Sequence, residues 1–216
     1  MDTQTNKKVL GQMEIVDEIN LAEKQSRPIN LSNSIISDLS SIDKVKFGLN
    51  LENSKILGSI FLGEIKIMGN LNMKNIVING SLYLGNSVIE KDLNLENAVV
   101  YGALNLVGSK IGGKVNAKNL RTVGFFSLSK SEILGDVNLE NSRIENAKYD
   151  DLVVRGDLFL DSTKIKGSLN LNRTIAEGFI NLEETQIENN LILTEARSQD
   201  EEINTKTITL NGKKII

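Results

Sequence analysis

Few residues in this chain could carry out chemistry. It contains no histidine and no cysteine, which removes imidazole acid–base catalysis, thiol nucleophiles and the usual zinc and iron ligands. Two pairs of adjacent carboxylates stand out, Asp150-Asp151 and Glu183-Glu184. Paired carboxylates can hydrolyse glycosidic bonds, but neighbours along a strand point to opposite faces and do not converge on one substrate. We therefore predict a protein that is not an enzyme and that uses no metal or cofactor.

Aromatic side chains are the other candidates for recognition. Aromatic residues make up 4% of the chain and tryptophan is absent, which disfavours a sugar-stacking groove. Phe61 and Tyr83 occupy equivalent positions in a sequence repeat, and Phe125 follows in a segment of the same type. Because exposed aromatic residues anchor many protein interfaces, these three are candidate partner-binding residues. The alternative is ordinary cross-strand pairing on a solvated sheet.

An eleven-residue repeat determines where these side chains lie. Starting at Gly58, five consecutive segments read GSIFLGEIKIM, GNLNMKNIVIN, GSLYLGNSVIE, KDLNLENAVVY and GALNLVGSKIG. Apolar residues alternate within each segment, as in a strand with one buried face. A short fixed period predicts a β-solenoid, in which each unit covers the apolar face of its neighbour. The predicted inward residues include Leu71, Met73, Leu82, Leu84, Leu93, Leu95, Leu104, Leu106, Ile67, Ile78, Ile89 and Ile111.

The outward residues indicate that two of these units form one coil, which gives a solenoid period of about 22 residues. Every second unit carries asparagine after its first inward residue, whereas the units between carry Phe61, Tyr83, Asn105 and Ser127. Stacked residues should resemble each other, so the two kinds of unit lie on different sides. This predicts an asparagine ladder formed by Asn50, Asn72, Asn94, Asn116 and Asn138. Beside it, a column of alternating charge would contain Glu52, Lys74, Glu96, Lys118 and Glu140.

Glycine and asparagine recur where the chain must turn a corner. Both residue types tolerate positive φ, so we expect such angles at the glycines that begin the units and at the sixth or seventh residue of each unit. The latter set comprises Asn53, Gly63, Asn75, Gly85, Asn86, Asn97, Gly108, Asn119 and Asn141.

Residues 1–26 do not follow the repeat. Met13, Val16 and Ile19 have helical spacing, which predicts a short amphipathic helix that covers the first coil; a disordered leader is the alternative. The solenoid itself spans residues 27–216, with a polar loop inserted near residues 196–203.

The segment at residues 146–155 breaks the repeat and is one residue short of a full unit. It places Lys148 and Asp150 where leucine is expected. We predict a β-bulge here that changes the direction of Tyr149, Asp150 and Asp151, since bulges often occur at functional sites. Simple decay of the repeat is the alternative.

The small-x-large triplets of the repeat resemble those of the pentapeptide-repeat family. Examples are Ser87-Val88-Ile89, Ala98-Val99-Val100 and Ser109-Lys110-Ile111. The resemblance covers residues 27–196 and the final half coil, and it implies a right-handed, four-sided β-helix. Members of that family bind other proteins, in one case a topoisomerase as a DNA-shaped mimic, which implies a binding role here. The chain is also faintly similar to bactofilins, which implies a self-assembling structural subunit as the alternative.

Charge and hydropathy limit the partners. A formal net charge of −3 gives no basic field for nucleic acid, and the alternating Glu and Lys column does not supply the acidic face of a DNA mimic. No apolar run reaches the length of a membrane span or a signal peptide. We expect an all-β cytoplasmic scaffold that binds a protein partner, with homo-oligomers through the solenoid ends and secretion without a cleaved signal both left open.

Overall fold

The computed structural model describes residues 7–40, 42, 44–149, 152–199 and 202–214. Within these residues the chain winds into a four-sided solenoid whose sides are parallel β-sheets. Most strands that pair across successive coils are 22 residues apart, as Asn50 and Asn72 show, and the longest sheet contains nine strands. The predicted β-solenoid and its coil length are therefore confirmed.

We number the sheets in the order in which each coil visits them. Sheet 1 contains Ile29–Asn30, Leu49–Asn50, Leu71–Asn72, Leu93–Asn94, Val115–Asn116, Val137–Asn138, Leu169–Asn170 and Leu191–Ile192. Sheet 2 contains Lys8–Leu10, Ser34–Ile36, Lys55–Ile56, Val77–Ile78, Val99–Val100, Arg121–Val123, Arg143–Glu145, Ile175–Ala176 and Arg197–Ser198.

The other two sides begin one coil later. Sheet 3 contains Ile60–Phe61, Leu82–Tyr83, Leu104–Asn105, Phe126–Ser127, Leu158–Phe159 and Ile180–Asn181. Sheet 4 contains Lys66–Ile67, Val88–Ile89, Lys110–Ile111, Glu132–Ile133, Lys164–Ile165, Gln186–Ile187, Thr209–Leu210 and Lys213–Lys214. A separate two-stranded hairpin joins Ala147–Tyr149 to Leu152–Val154.

The inward side chains of all four sheets form one apolar core. The twelve inward residues named from the sequence are each at most 1% exposed, which confirms the predicted alternation. Each buried aliphatic side chain stabilises the coil by roughly 1.5–3 kcal/mol. The small residue of each small-x-large triplet is also buried, and where it is a serine its hydroxyl can donate to a backbone carbonyl, as Ser87 Oγ does to Leu84 O at 2.6 Å.

The asparagine column on sheet 1 is present, and its amide–amide hydrogen bonds run from Asn30 to Asn94, whereas Asn116 Nδ2 donates to Glu96 Oε2. Asn50 Nδ2 donates to Asn30 Oδ1 at 3.1 Å, and Asn72 Nδ2 donates to Asn50 Oδ1 at 3.0 Å. The corner asparagines form a second ladder, in which Asn75 Nδ2 donates to Asn53 Oδ1 at 2.8 Å. The charged column forms ion pairs as well. Lys74 pairs with Glu96 at 3.2 Å and Lys118 pairs with Glu140 at 2.9 Å.

Positive φ occurs at the predicted corner asparagines and at Gly108. The prediction is wrong for Gly63 and Gly85, because the positive angle falls on the following residue, Glu64 or Asn86. It is also wrong for the glycines that begin the units, with the exception of Gly124 at φ 127°. Most of these glycines are required for a different reason, which is the close approach of the preceding coil. A Cβ at Gly135, for example, would lie 2.8 Å from Gly113 O, and Gly112, which ends a unit, is confined in the same way by Glu90 O.

An α-helix, α1 (Gln12–Lys24), covers the first coil. It buries Ile15 and Ala22, and Ile19 packs against the same core. The predicted helix is therefore present, but the predicted apolar face is wrong in part. Met13 is 80% exposed and Val16 is also exposed, because contacts at Glu18 fix the rotation of the helix.

Glu18 fastens α1 to sheet 1. Its Oε1 accepts from Arg27 Nη1 at 2.5 Å and its Oε2 from Arg27 Nη2 at 3.0 Å. Oε1 also accepts from the backbone N–H of Asn30 at 2.7 Å. The hydrogen bond from Arg27 holds the pKa of Glu18 below its ordinary value. Further along the helix, Glu23 pairs with Lys46 at 3.1 Å.

In the polar segment near residues 196–203 the predicted loop is wrong for Arg197–Ser198, which form a strand. Arg197 and Ser198 pair with Ile175 and Ala176 in sheet 2, and Asn204 bridges to Asn181 beside sheet 3. This last pair is one residue further apart in sequence than the regular pairs, so the coil holds one extra residue. Asp200 and Glu201 lie outside the described residues.

A methyl group added at Gly112 should destabilise the solenoid far more than one added at Gly63. Glu90 O leaves no room at Gly112, so Gly112→Ala should cost about 1–3 kcal/mol. The nearest atom to a Cβ at Gly63 is Gly85 O at 3.4 Å, so Gly63→Ala should be almost neutral. Urea unfolding of both variants measures the difference. Equal stability would contradict the packing explanation for Gly112.

Replacing Glu18 by Gln should lower the melting temperature at pH 7. Because the folded pKa of Glu18 is lowered, its stabilising effect is complete above the ordinary carboxyl pKa and disappears as the pH falls through the lowered value. The difference between the wild type and Glu18→Gln should therefore shrink as the pH falls below the ordinary glutamate pKa of about 4.3. Asp17→Asn, at an exposed neighbour, is the control. A difference that does not change with pH would refute this role.

Candidate functional site: the aromatic face of sheet 3

Phe61 and Tyr83 lie opposite each other on neighbouring strands of sheet 3. Their rings are stacked, with centroids 5.0 Å apart and planes inclined by 5°. Phe61 is 73% exposed, while Tyr83 is partly buried. Phe61 lies on the first strand of the sheet, so only one face of its ring is covered by Tyr83. The sequence prediction that these two residues stack outward is confirmed.

Small residues on both sides leave this ring pair open. Ser59 and Ser81 precede the two strands, and Gly63 and Gly85 follow them. The serines have a structural task, since Ser59 Oγ accepts from Ser81 N at 3.0 Å. The two glycines do not have positive φ, and no neighbouring atom lies closer than 3.4 Å to a Cβ built at either position.

Later coils have larger residues at the position of Gly85, so the fold does not require glycine at this position. Gly85 is followed in the stack by Val107, Ser129 and Asp161, which accept the equivalent backbone hydrogen bonds. The coil therefore tolerates larger side chains at this position. We call the open surface formed by Phe61, Tyr83, Gly63 and Gly85 the aromatic shelf.

Phe125 belongs to a second cluster, further along the same sheet. Its ring centroid is 6.5 Å from that of Phe159, and Phe159 is 5.8 Å from Phe179, both in edge-to-face geometry. The Arg155 guanidinium lies over the Phe179 ring, 4.7 Å from its centroid. Register pairs across sheet 3 place Phe159 in the same outward column as Phe61 and Tyr83, with Asn105 and Ser127 between. Sheet 3 thus carries two aromatic clusters.

Phe159 and Phe179 were missed by the sequence analysis. A fixed period would pair Ser127 with Tyr149, whereas Ser127 pairs with Phe159 in the sheet, so the period places Phe159 in the wrong column. The difference of ten residues is an insertion. If the leucine-x-leucine pattern that follows the insertion is aligned with the pattern that precedes it, Phe159 falls in the same column as Tyr83.

The insertion is the hairpin of Ala147–Tyr149 and Leu152–Val154. The predicted β-bulge in a unit one residue short is therefore wrong. The coil is complete without these residues, and the two inserted strands pair with each other in antiparallel orientation. Leu152 and Val153 are 62% and 51% exposed. Tyr149 ends the first strand, whereas Asp150 and Asp151 lie outside the described residues, so their predicted roles stay predictions.

Polar contacts hold the base of the hairpin on the solenoid. Gly156 N donates to Asn146 Oδ1 at 2.7 Å, and Asn146 N donates to Glu177 Oε2 at 2.8 Å. On the sheet 2 side, Arg121 Nε donates to Glu145 Oε1 at 2.8 Å, and this hydrogen bonding raises the pKa of Arg121. The hairpin therefore leaves the coil from a fixed base between sheets 2 and 3.

The remaining carboxylate pair lies at a corner between sheets 3 and 4, not within a strand. Glu184 has φ 56°, and its Oε2 accepts from Ser162 Oγ at 3.0 Å. Glu183 Oε2 accepts from Asn204 Nδ2 at 3.4 Å. Both carboxylates thus make contacts to neighbouring coils. In the described part of the chain no three acidic, histidine or cysteine side chains are grouped closely enough to hold a metal ion.

Cavities lie on other sides of the solenoid. One of about 740 Å³ opens beside the first coils of sheet 1, where Arg27, Phe47 and Lys91 contribute to its lining. A shallower one of about 400 Å³ crosses sheet 4 at Gly112. Neither includes a residue of the aromatic shelf.

None of the helices in the described residues is long and apolar enough to cross a membrane. Comparison with known proteins found no matching family model, no matching curated protein and no matching solved structure. Membership of the pentapeptide-repeat family stays a prediction from the triplets.

Proposed function

We propose that this chain is a non-catalytic binding protein that presents sheet 3 to a protein partner. The observation that carries the proposal is the aromatic shelf, where a stacked and exposed Phe61 is bordered by two glycines that the coil does not require. Large exposed aromatic residues with open flanks are the usual anchors of protein interfaces.

The shelf is suited to binding because it is already ordered. Tyr83 supports one face of Phe61, and both side chains rise from paired strands. A partner would therefore bury these rings with little loss of side-chain entropy, and that loss is a main cost of association. The free face of Phe61 can accept an aliphatic, aromatic or guanidinium group from the partner.

The second cluster extends the same surface. Tyr83 and Phe159 are three strands apart in sheet 3, which corresponds to about 14 Å at a strand spacing of about 4.8 Å. The polar stretch between them includes Ser129, whose hydroxyl donates to Asp161 Oδ1 at 2.6 Å. A partner segment lying along the solenoid axis could contact both aromatic clusters.

Two changes at the aromatic shelf, one that removes a side chain and one that adds a side chain, should both weaken partner binding. Phe61→Ala removes the anchor, and Gly63→Leu covers its flank while adding apolar surface. We expect each change to reduce affinity about tenfold or more, as for residues at the centre of an interface. The partner is first captured with the full chain carrying a photo-crosslinker at Phe61, and its affinity for each variant is then measured by titration.

Leu134→Ala is the matched control, since Leu134 is a 48% exposed apolar residue beside sheet 4. Its affinity should equal that of the wild type, and thermal melting should show that all variants are folded. If Gly63→Leu binds as well as the wild type or better, the captured protein recognises general hydrophobicity and the proposed site is wrong. If Leu134→Ala weakens binding as strongly as Phe61→Ala, the interface lies elsewhere.

A further inference from the structure

One column of residues at the corner before sheet 1 carries large side chains in the first coils. Each member lies two residues before a strand residue of sheet 1, and the strand pairing stacks these members one coil apart. In order they are Arg27, Phe47, Gly69 and Lys91. The next three members are glycines that the close approach of the preceding coil requires, namely Gly113, Gly135 and Gly167. The three large side chains therefore depart from the pattern of this column.

Gly69 leaves an open space between two of these side chains. Phe47 lies one coil before it and Lys91 one coil after it, so their Cα atoms are about 10 Å apart at a coil spacing of about 4.8 Å. A Cβ at Gly69 would overlap Phe47 O, so packing keeps this position free of a side chain. The space belongs to the cavity of about 740 Å³ beside sheet 1, which has the size of a small-molecule site.

The cavity contains one cation that no acidic side chain neutralises. Glu18 and Arg27 both line it, but they form an ion pair with each other. Lys91 is exposed, and its ammonium group has no hydrogen bond or ion pair with another described residue. With two basic residues and one acidic residue, the lining has an excess of one positive charge. This excess suits a ligand that carries a single negative charge.

The asparagine amides of the cavity offer donors and few acceptors. Asn30 Oδ1 already accepts from Ser32 N at 3.3 Å and from Asn50 Nδ2 at 3.1 Å. Asn70 Oδ1 accepts from Asp92 N at 3.1 Å. By contrast, the Nδ2 groups of Asn30 and Asn70 donate to no other residue in the described part of the chain, although each can donate two hydrogen bonds. The lining therefore matches a ligand group that only accepts.

We propose that this cavity binds a small aromatic carboxylate. The ring of the ligand packs against Phe47 in the space at Gly69, and its carboxylate accepts from Lys91 Nζ and Asn70 Nδ2. An ionised carboxylate only accepts hydrogen bonds and carries the single charge that the lining balances. A phosphate monoester carries nearly two negative charges and would lie near the Glu18 carboxylate, so it fits less well. The site lies on sheet 1, and it does not depend on the protein interface proposed for sheet 3.

Fluorine NMR titration of the full chain with 4-fluorobenzoate tests the site. The wild type should bind this probe saturably, with a dissociation constant of about 1 mM or lower. 4-Fluorobenzamide has the same ring without the charge, and trifluoroacetate has the charge without the ring. Each should bind about tenfold more weakly or worse, because each lacks one of the two interactions.

Two substitutions distinguish this cavity from general attraction of anions. Lys91→Gln removes the cation, and Asn70→Asp adds a carboxylate while it keeps the Oδ1 acceptor. The coil accommodates aspartate at this corner, since Asp92 Oδ1 accepts from Lys114 N one coil later. Each substitution should weaken binding of 4-fluorobenzoate about tenfold or more. Lys166→Gln, at an exposed lysine three coils further along, is the matched control and should bind like the wild type.

Four results would overturn the inference. 4-Fluorobenzoate could fail to saturate the wild type at ten times the expected dissociation constant, or 4-fluorobenzamide could bind equally well. Asn70→Asp could bind the probe as the wild type does, or Lys166→Gln could weaken binding as strongly as Lys91→Gln. Thermal melting shows whether each variant is folded. The comparison of the three probes uses only the wild type, so it decides the question if a substitution unfolds the chain.

Discussion

Close stacking of the coils, at the strand spacing of about 4.8 Å, is the constraint on which the rest of the structure depends. It leaves no room for a Cβ at many corners, as the 2.4 Å approach of a Cβ at Gly69 to Phe47 O shows. The side chain at the next position joins the coils: Asn70 Oδ1, after Gly69, accepts from Asp92 N at 3.1 Å, and Asp92 Oδ1 accepts from Lys114 N at 2.9 Å. Corner composition is thus set by backbone contact between coils, and only in part by φ.

Close stacking of the coils still permits two kinds of sequence change: a different outward side chain on a strand, and an insertion at a corner. Both occur at the candidate surface on sheet 3. Outward side chains on a strand do not meet the neighbouring backbone, so their column can change from Phe61 and Tyr83 to Asn105 and Ser127 without changing the coil. Extra residues can leave at a corner if they satisfy their own backbone, which the hairpin of Ala147–Tyr149 and Leu152–Val154 does. Both departures occur on or beside sheet 3, where they enlarge one exposed surface.

The periodic part of this architecture could be predicted from the sequence because each coil repeats the same local contacts. The buried leucines, the ladder through Asn50 and Asn72, and the stacking of Phe61 on Tyr83 all follow from residues that lie one coil apart. The hairpin could not be predicted in this way, because a ten-residue insertion resembles a damaged eleven-residue unit. Phe159 and Phe179 were lost with it, since their columns depend on the register after the insertion.

The buried face of α1 was not predicted correctly, for a related reason. Met13, Val16 and Ile19 have helical spacing, but so do Ile15, Ile19 and Ala22, and only the contacts of Glu18 with Arg27 and Asn30 decide between them. These contacts occur once, so no column of equivalent residues indicates them. A solenoid coil needs only what every coil contains. Residues that appear once, such as Glu18, or that are smaller than the coil permits, such as Gly63, are therefore the positions where a role other than coil formation should be sought.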